Sequence, residues 1–248
     1  EGYRYLLAHL NRAIEFEFRA DPLFPEFFRS MDMLRKWTGE NPDAMYLKAP
    51  IDGQGFYRVS GQAANTKEWK TSKRGVKGPK APRHVTFQTV SDVPGHTGEM
   101  AEMQQCKSQT LDFITGLNLL TDRKGRFDLL IGPERPTDYK GNFLLSRKLL
   151  ACPSNDTSAV KEAKWLAVRE IFSDWENEIP LELDIVRLDS AGLSKPPITV
   201  EQLTTKLNNI ATEVPNQIRF WNLIMEFPLE VARDANQDGQ RNLPVNGI

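Results

Sequence analysis

The apolar residues near the start of the chain recur at helical spacing. Between positions 3 and 19 they lie three or four residues apart, which places them on one face of an amphipathic helix: Leu6, Leu7, Leu10, Ile14 and Phe18. Pro22 ends this helix. A second, short helix is predicted from the aromatic and apolar residues of 24–34, and it ends near Gly39. The chain is therefore expected to open with a helical segment, residues 1–40.

The middle third of the chain has the shorter pattern of β-strands. Its apolar runs and alternations cover only a few residues and are bounded by Gly, Pro, Asp and Asn, which favour turns. Gly53 and Gly55 stand in such a turn, directly before Phe56 and Tyr57. Strands are predicted at the end of 51–61 and at 84–90, 126–132 and 142–150.

The last third returns to helical spacing, with one strand between the helices. Residues 161–178 place five side chains on one helical face: Trp165, Val168, Ile171, Phe172 and Trp175. Residues 181–189 begin in strict alternation and predict a half-buried strand. Thr199 opens a capping box and so begins another helix. A final amphipathic stretch, 218–231, is predicted to be interrupted at Pro228.

This order of elements predicts an α+β fold. Helices come first, several strands follow, and a helix, a strand and two helices close the chain, without the regular alternation of a doubly wound parallel sheet. We expect an antiparallel β-sandwich or jelly-roll-like core with N-terminal and C-terminal helices. The segment 1–40 and the sandwich-like remainder, 41–248, are expected to form one integrated unit.

The composition is that of an ordinary soluble globular protein, with 248 residues, 40% hydrophobic and 26% charged, and a formal net charge of −1. It indicates no affinity for nucleic acids, and no apolar run approaches the roughly 18 residues of a membrane span. The chain begins without a recognisable targeting signal. The sequence does not determine the compartment, and the cytoplasm is slightly favoured. Cys106 and Cys152 stand outside any zinc motif and predict neither a metal site nor a disulfide framework.

The polar sequence Asn41-Pro42-Asp43 stands between a predicted helix and a predicted strand. Asn before Pro is held extended, and Asn and Asp side chains bond readily to nearby backbone amides, so the sequence could simply fix a bend. The same bend could present Asp43 and Tyr46 at the mouth of a cavity, where a carboxylate and a phenol can act as acid, base or hydrogen-bond donor.

Further candidate charges lie near apolar segments. Glu170, Asp174 and Glu178 form a row of like charges on the predicted helix 161–178, and Asp174 precedes the apolar Trp175. Asp174 is therefore expected at the helix edge, partly buried, either in a structural salt bridge or in a site. Arg58 alternates with apolar neighbours on its strand, and it would need an anion such as Asp43 if it faced inward.

Other patterns are weaker. Residues 67–83 are strongly basic, but Gly and Pro interrupt them, which favours a solvated connection over a phosphate-binding surface. Residues 234–239 imitate the first half of a calcium loop, but Val245 stands where its last carboxylate belongs. The histidines lack metal-ligand spacing, and nucleotide and nucleophile motifs are absent. The sequence thus predicts no metal and no cofactor.

Two long stretches, "ENPDAMYLKAPIDGQGFYRVSG" and "VREIFSDWENEIPLELDIVRLD", resemble the bacterial family called domain of unknown function twelve-fourteen, often joined to a partner domain called twelve fifty-four. The resemblance implies a β-sandwich or jelly-roll core with added helices, and it supplies no activity. The matching positions are Asn41, Pro42, Asp43, Tyr46, Tyr57, Arg58, Gly61, Arg169, Phe172, Asp174 and Trp175. Family members usually continue into more strand, so a sheet edge is expected to be left incomplete or to be completed by another chain.

The leading hypothesis from the sequence is an enzyme without a redox cofactor, a hydrolase or lyase acting on a small or medium organic substrate. Asp43 and Asp174 are the acid–base candidates, and Arg58 and Arg169 would bind an anionic group or keep those carboxylates ionised. Three further side chains would shape the pocket: Asn41, Tyr46 and Trp175. The alternatives are a carbohydrate- or lipid-binding module and a subunit that completes its sheet with a partner.

Overall fold

The computed structural model of the protein describes residues 2–35, 37, 39–71, 75–154 and 156–235, with side chains as far as residue 226. Most of the calcium-like stretch 234–239 lies outside the described residues, as do Lys73 and Arg74 of the basic stretch. The helices are α1 (Gly2–Arg19), α2 (Ala101–Gln104) and α3 (Val200–Ala235). The strands are β1 (Phe28–Met31), β2 (Ala44–Pro50), β3 (Tyr57–Gln62), β4 (His84–Val90), β5 (Thr110–Thr115), β6 (Arg126–Gly132), β7 (Asn142–Leu145), β8 (Arg147–Cys152), β9 (Thr157–Glu162), β10 (Trp165–Ile171) and β11 (Glu182–Arg187).

The strands form the sandwich-like α+β core that the sequence predicts. One sheet has the order β1-β2-β10-β4-β5 and is antiparallel throughout, and the second has the order β11-β3-β6-β7 with a parallel pair at β6 and β7. Strands β8 and β9 form a separate hairpin. Apolar side chains from both sheets meet in a common core, where the rings of Phe87 and Phe127 lie 5.7 Å apart.

A second, smaller core lies on the outer face of the five-stranded sheet, under the helices. It contains five buried side chains: Phe16, Phe28, Trp37, Val93 and Trp165. Helix α1 packs along α3 there, and Lys206 of α3 donates a hydrogen bond to the carbonyl of Glu17. The five-stranded sheet is thus covered on both faces over part of its area.

Helix α1 has the predicted bounds but buries the opposite face from the apolar stripe. Leu6, Leu7, Ile14 and Phe18 are exposed, whereas the buried side chains include two polar ones: Ala8, His9, Arg12, Ala13 and Phe16. The buried residues also recur at helical spacing, but they lie on the opposite face of the helix from the apolar stripe. A polar face turned towards the sheet indicates a site and not only packing.

Two predicted helices are wrong. Part of the segment expected to form a short helix before Gly39 is strand β1, so residues 1–40 are not wholly helical. Residues 161–178 contain β10, the central strand of the five-stranded sheet, paired with both β2 and β4. Strand β10 is apolar towards both cores, and a strand buried on two faces loses the alternation that would distinguish it from a buried helix.

Most other predicted elements are confirmed. Strands β4 and β6 have the predicted bounds, whereas the predicted strand 142–150 is two strands separated at the buried Ser146. The capping box is present, because the backbone N–H of Gln202 donates to Thr199 Oγ1 and the N–H of Thr199 donates to Gln202 Oε1. Helix α3 continues without interruption through Pro228, so the predicted break there is wrong.

Cys106 and Cys152 form a disulfide, whereas the sequence analysis predicted none. Their Cα atoms lie 5.7 Å apart, within the usual range for a bridge. The bridge ties the turn after α2 to the end of β8. None of the helices in the described ranges is long and apolar enough to cross a membrane.

Candidate functional site

Asn41-Pro42-Asp43 fixes the bend at the start of β2. The backbone N–H of Asp43 donates to Asn41 Oδ1 at 2.9 Å, and the N–H of Asn41 donates to the Tyr46 hydroxyl oxygen at 3.1 Å. Asn41 and Asp43 are both exposed. These local bonds are the structural role that the sequence favoured for this segment.

The segments that carry Asp43 and Asp174 are joined by contacts at the ends of β2 and β10. Strands β2 and β10 pair so that Ala44 faces Ile171, and the N–H of Phe172 donates to the Asp43 carbonyl at 2.8 Å. Trp175 Nε1 also donates to Asp43 Oδ1, at 3.3 Å. The Asp43 side chain faces solvent, and a hollow shared by the two aspartates stays a prediction.

Asp174 belongs to the turn after β10 and not to a helix edge. Its carboxylate accepts hydrogen bonds from Asn177 Nδ2 at 3.1 and 3.0 Å and lies 3.5 Å from Lys80 Nζ. The Asn177 hydrogen bond and then the charge of Lys80 hold the pKa of Asp174 below its ordinary value. This arrangement is the structural salt bridge that was the alternative to a catalytic role.

Arg58 and Trp175 are also on the surface. Arg58 is exposed on β3 between the buried Tyr57 and Val59, so it faces away from the sandwich core and does not pair with Asp43. Trp175 is 52% exposed and stacks on Phe172, with ring centroids 4.1 Å apart. The contacts of these residues are structural ones, and their predicted roles in a site stay predictions.

Two lysines of the basic stretch have structural partners as well. Lys70 Nζ donates to the carbonyls of Leu117 at 2.8 Å and Leu119 at 2.6 Å, and Lys80 approaches Glu68 in addition to Asp174. Such contacts hold this connection against the sheets. The prediction that it is merely solvated is wrong at these positions.

A cavity of about 310 Å³ opens on the outer face of the five-stranded sheet. Two of the predicted binding residues line it, Tyr46 and Arg169, with the Arg169 guanidinium 5.1 Å above the Tyr46 ring. The walls away from the sheet include Trp37 and Trp221. This cavity is the concave site that best combines aromatic and charged side chains.

The strand register explains the shape of the cavity. Ala167 of β10 is directly opposite Lys48 of β2 on one side and Gln88 of β4 on the other, and all three side chains line the cavity. Because Ala167 carries only a methyl group on the central strand, space remains between the two longer side chains. Arg169 and Tyr46 are the next outward-facing pair along the same strands.

Arg12 of α1 meets Lys48 at the same two aromatic rings. Lys48 Nζ lies 4.4 Å from the Trp37 ring centroid and 5.0 Å from that of Phe16, and Arg12 Cζ lies 5.0 and 5.5 Å from the same rings. Arg12 is 1% exposed and Lys48 is 9% exposed. Both side chains are therefore buried within cation–π distance of the same two rings.

Neither Arg12 nor Lys48 forms a salt bridge within the described part of the chain, although the charge of Glu213 acts on Arg12 and that of Asp92 acts on Lys48. Arg12 Nε and Nη2 are buried without a hydrogen-bond acceptor, and no ion pair or hydrogen bond holds Lys48. Burial and then the charge of Arg12 lower the pKa of Lys48 to about 7, against the opposing effect of Asp92. Burial likewise lowers the pKa of Arg12 to about 10, against the opposing effect of Glu213. The neighbouring carboxylates compensate this buried positive pair only in part, and such a pair is costly unless an anion joins it.

The nearest carboxylate to this pair is already engaged. Asp92 pairs with Lys164 and with His96 Nε2 at 2.8 Å, while His96 Nδ1 lies 2.8 Å from Glu213 Oε2 of α3. Asp92 also lines both the first cavity and a second one of about 430 Å³, which Arg12 lines from the other side. Arg12 and Lys48 are thus reached from two adjoining cavities whose shared wall includes Asp92.

We expect the variant H96Q to lose stability mainly at low pH. Hydrogen bonds from His96 to Asp92 and Glu213 raise the pKa of His96 to about 10, so its contribution is complete below the unfolded value of 6.5 and is lost as pH rises through 10. At pH 6 we expect a loss on the order of 1 kcal/mol for this half-exposed bridge, and a smaller loss at pH 10. Urea unfolding at both values measures it.

The matched control is H84Q. His84 contacts the hydroxyl of Thr86, and its pKa is lowered by burial and then by Arg169. The loss of stability caused by H84Q should therefore not become smaller between pH 6 and pH 10, as the loss caused by H96Q should. Equal losses for H96Q at both pH values would contradict the bridging role of His96.

Sequence reasoning missed the residues at the centre of this site, Arg12, Trp37, Lys48 and Trp221. A signal was present for two of them: Lys48 interrupts the apolar run before Pro50, and Arg12 follows His9 at helical spacing. Both could have been identified only with knowledge of which helix face is buried. The predicted binding roles of Asn41, Arg58 and Trp175 stay predictions without support from this cavity.

Comparison with models of known protein families finds no match, and comparison with curated proteins finds none either. Among solved structures, the chain is similar to a putative uncharacterized protein from Burkholderia cenocepacia, with a TM-score of 0.65 and 20% sequence identity over 99% of this chain and 58% of that one. The VPA0106 protein from Vibrio parahaemolyticus matches at a TM-score of 0.30 and 11% identity, over 94% of this chain and 58% of that one. The chain thus spans less than two thirds of both structures, and the first shares its fold.

Proposed function

We propose that the chain binds a small organic anion in the cavity on the outer face of the five-stranded sheet. The ligand would carry a carboxylate or phosphate, and Lys48 and Arg169, which both line this cavity, would be its cationic anchors. One observation carries the proposal: Lys48 lines this cavity, packs on the rings of Trp37 and Phe16, and forms no ion pair or hydrogen bond within the described residues.

Three features of the cavity support an organic ligand. Its volume, about 310 Å³, lies at the lower end of the range for small-molecule sites. Trp37 and Trp221 offer flat apolar surfaces for the body of a ligand. The guanidinium of Arg169 lines the cavity, and a guanidinium can form the paired hydrogen bonds typical of carboxylate and phosphate recognition.

The acid–base enzyme predicted from the sequence is a different function, and it stays a prediction. Asp43 and Asp174 lie outside this cavity, so they lend no support to the anion-binding proposal. The family resemblance, the jelly-roll topology and a partner chain at a sheet edge also stay predictions. Strand β11 is the edge of the four-stranded sheet nearest the C-terminus in sequence, where such a partner would pair.

Isothermal titration calorimetry with a panel of small anions, including phosphate, citrate, benzoate and pyruvate, tests the proposal. We expect at least one carboxylate or phosphate to bind the wild type at pH 6.5. K48M should weaken that binding by about 2 kcal/mol or more, because it removes one partner of a buried charge pair. K124M is the matched control, since Lys124 lies in an exposed turn. Absence of binding across the panel, or equal binding by K48M, would refute the site.

The same binding should weaken as pH rises above 7. The pKa of Lys48 is about 7 in the free protein, and a bound anion favours the charged ammonium, so binding at higher pH must take up a proton. The dissociation constant is expected to rise by up to about tenfold per pH unit between pH 7 and pH 9. K48M should lack this dependence. The charged groups around Lys48 are Arg12, Arg169, Asp92 and Glu40, and none of them is replaced in that variant.

A further inference from the structure

We propose that Lys48 is a nucleophile that condenses with a carbonyl group of the bound anion, so that the ligands of this site are small 2-oxo acids or anionic aldehydes. The inference rests on the proposed function, because the anion must first occupy the cavity. It adds a covalent step and a narrower ligand class. The geometry that points to it is the placement of an uncommitted primary amine inside an organic-sized cavity.

Other lysines have hydrogen-bond or salt-bridge partners that hold Nζ, whereas Lys48 has no such partner among the described residues. Lys70 and Lys164 are engaged by carbonyls and by Asp92, respectively, whereas Lys48 Nζ has only aromatic faces and the cavity beside it. A nucleophilic amine must have its lone pair free and must not be held as the ammonium of an ion pair. Among these three lysines, Lys48 alone meets this requirement.

The surroundings also keep a large fraction of Lys48 in the neutral form. Burial and the neighbouring charge of Arg12 lower its pKa to about 7, well below the ordinary value of 10.5. Desolvation beside a second cation is a known way to activate a lysine towards carbonyl compounds. Arg12 therefore favours the free amine of Lys48.

The strand register provides room for the reacting carbon. Ala167 lies opposite Lys48 on the central strand and leaves space above the sheet, and the next pair along the strands is Tyr46 with Arg169. A 2-oxo acid has its carboxylate directly bonded to the carbonyl carbon. An anion held by Arg169, which lines the same cavity, thus brings that carbon towards the amine of Lys48.

The step balances without an oxidant, a reductant or a metal. The Nζ lone pair forms a bond to the carbonyl carbon, and the carbonyl oxygen takes up a proton to give a carbinolamine. That oxygen then leaves as water, together with the two hydrogens that were on the nitrogen, and a carbon–nitrogen double bond remains. Water reverses the reaction, so the imine is transient unless it is reduced.

Trapping with pyruvate and sodium borohydride tests the inference. Borohydride supplies a hydride to the imine carbon, and the stable product carries one pyruvate less one oxygen atom. Intact mass spectrometry and peptide mapping should find one major adduct per chain, on Lys48. The control K124M should give the same yield, whereas excess propionate, an anion without the reactive carbonyl, should suppress the adduct by competing for the cavity.

The wild type itself separates this inference from the proposed function, because calorimetry measures anion binding and borohydride trapping measures the imine. Arginine forms no imine under these conditions, so K48R should lose the borohydride adduct by at least about tenfold, to background. Anion binding by the wild type without an adduct on Lys48 would overturn the nucleophile and leave the binding site intact. An adduct spread over exposed lysines such as Lys124 would overturn it equally. No binding of any anion would refute the proposed function itself.

Discussion

Replacing Cys106 and Cys152 together with serine is expected to lower the free energy of unfolding by about 4 kcal/mol. The disulfide closes a loop of 46 residues between α2 and β8, and removing it returns the entropy of that loop to the unfolded chain. Cys152 is also buried, so the serine hydroxyl loses some packing there. Guanidinium unfolding of the oxidised wild type and of the double variant measures the difference.

Reduction provides the internal control for the disulfide. The wild type treated with dithiothreitol should fall to the stability of the double variant, and the double variant should not respond to the reagent. A wild type that unfolds at the same denaturant concentration with and without reductant would contradict the bridge. Because disulfides persist in oxidising environments, the bridge favours such a compartment over the cytoplasm that the sequence analysis slightly favoured.

The second large effect is a gain of stability in E170Q. Glu170 is fully buried on the central strand β10, where Glu170 Oε2 accepts a hydrogen bond from the Leu181 N–H and Oε1 has no partner in the described residues. Burial raises the pKa of Glu170 to about 7. We expect E170Q to be more stable than the wild type by about 2 kcal/mol at pH 8. The charged carboxylate costs about 3 kcal/mol there, and the glutamine amide forfeits about 1 kcal/mol by lacking an acceptor.

The pH dependence has a definite sign. The folded pKa of Glu170 is above the unfolded value of 4.5, so the folded state binds more protons between these values and stability falls as pH rises from 4.5 to 7. The penalty is complete above pH 7 and absent below pH 4.5. The advantage of E170Q should therefore shrink between pH 8 and pH 5, as urea unfolding can measure.

Glu178 is the matched control for Glu170. It is also buried, but its oxygens accept hydrogen bonds from the N–H groups of Arg83 and Ser173 and from the Ser173 hydroxyl. E178Q should lose stability, because an amide group replaces an oxygen that accepts these bonds. A loss of stability in E170Q at pH 8 comparable to that of E178Q would contradict the assignment of Glu170 as a buried charge without compensation.

The two glutamates also show why the sequence-based interpretation of this segment was wrong. Glu170, Asp174 and Glu178 have helical spacing, which predicted a row of like charges on one helix with Asp174 partly buried at its edge. In the structure Glu170 lies in a strand and Asp174 in a turn, so their side chains do not share a face. Glu170 and Glu178 are the members of the row that are buried.

The residues of the binding site were likewise predicted only in part. Tyr46 and Arg169 were identified as candidates, and they meet because β2 and β10 are neighbours in the sheet. Arg12 and Lys48 were missed because Arg12 lies on a helix whose exposed face carries more large apolar residues than its buried face. The apolar pattern predicted the helix correctly but indicated the wrong buried face. The face of α1 that packs on the sheet is the one that carries His9 and Arg12.

The sequence by itself determined the elements whose stabilising bonds are local. The capping box at Thr199, the bend at Asn41 and the strands β4 and β6 depend on neighbours within a few residues or on turns at their ends, and all of them were predicted. Only the tertiary structure decided that β10 is a central strand, that Cys106 meets Cys152 and that Arg12 and Lys48 share two aromatic rings. The reason is physical: burial on two faces and contacts between distant residues depend on which elements become neighbours, and no local pattern carries that information.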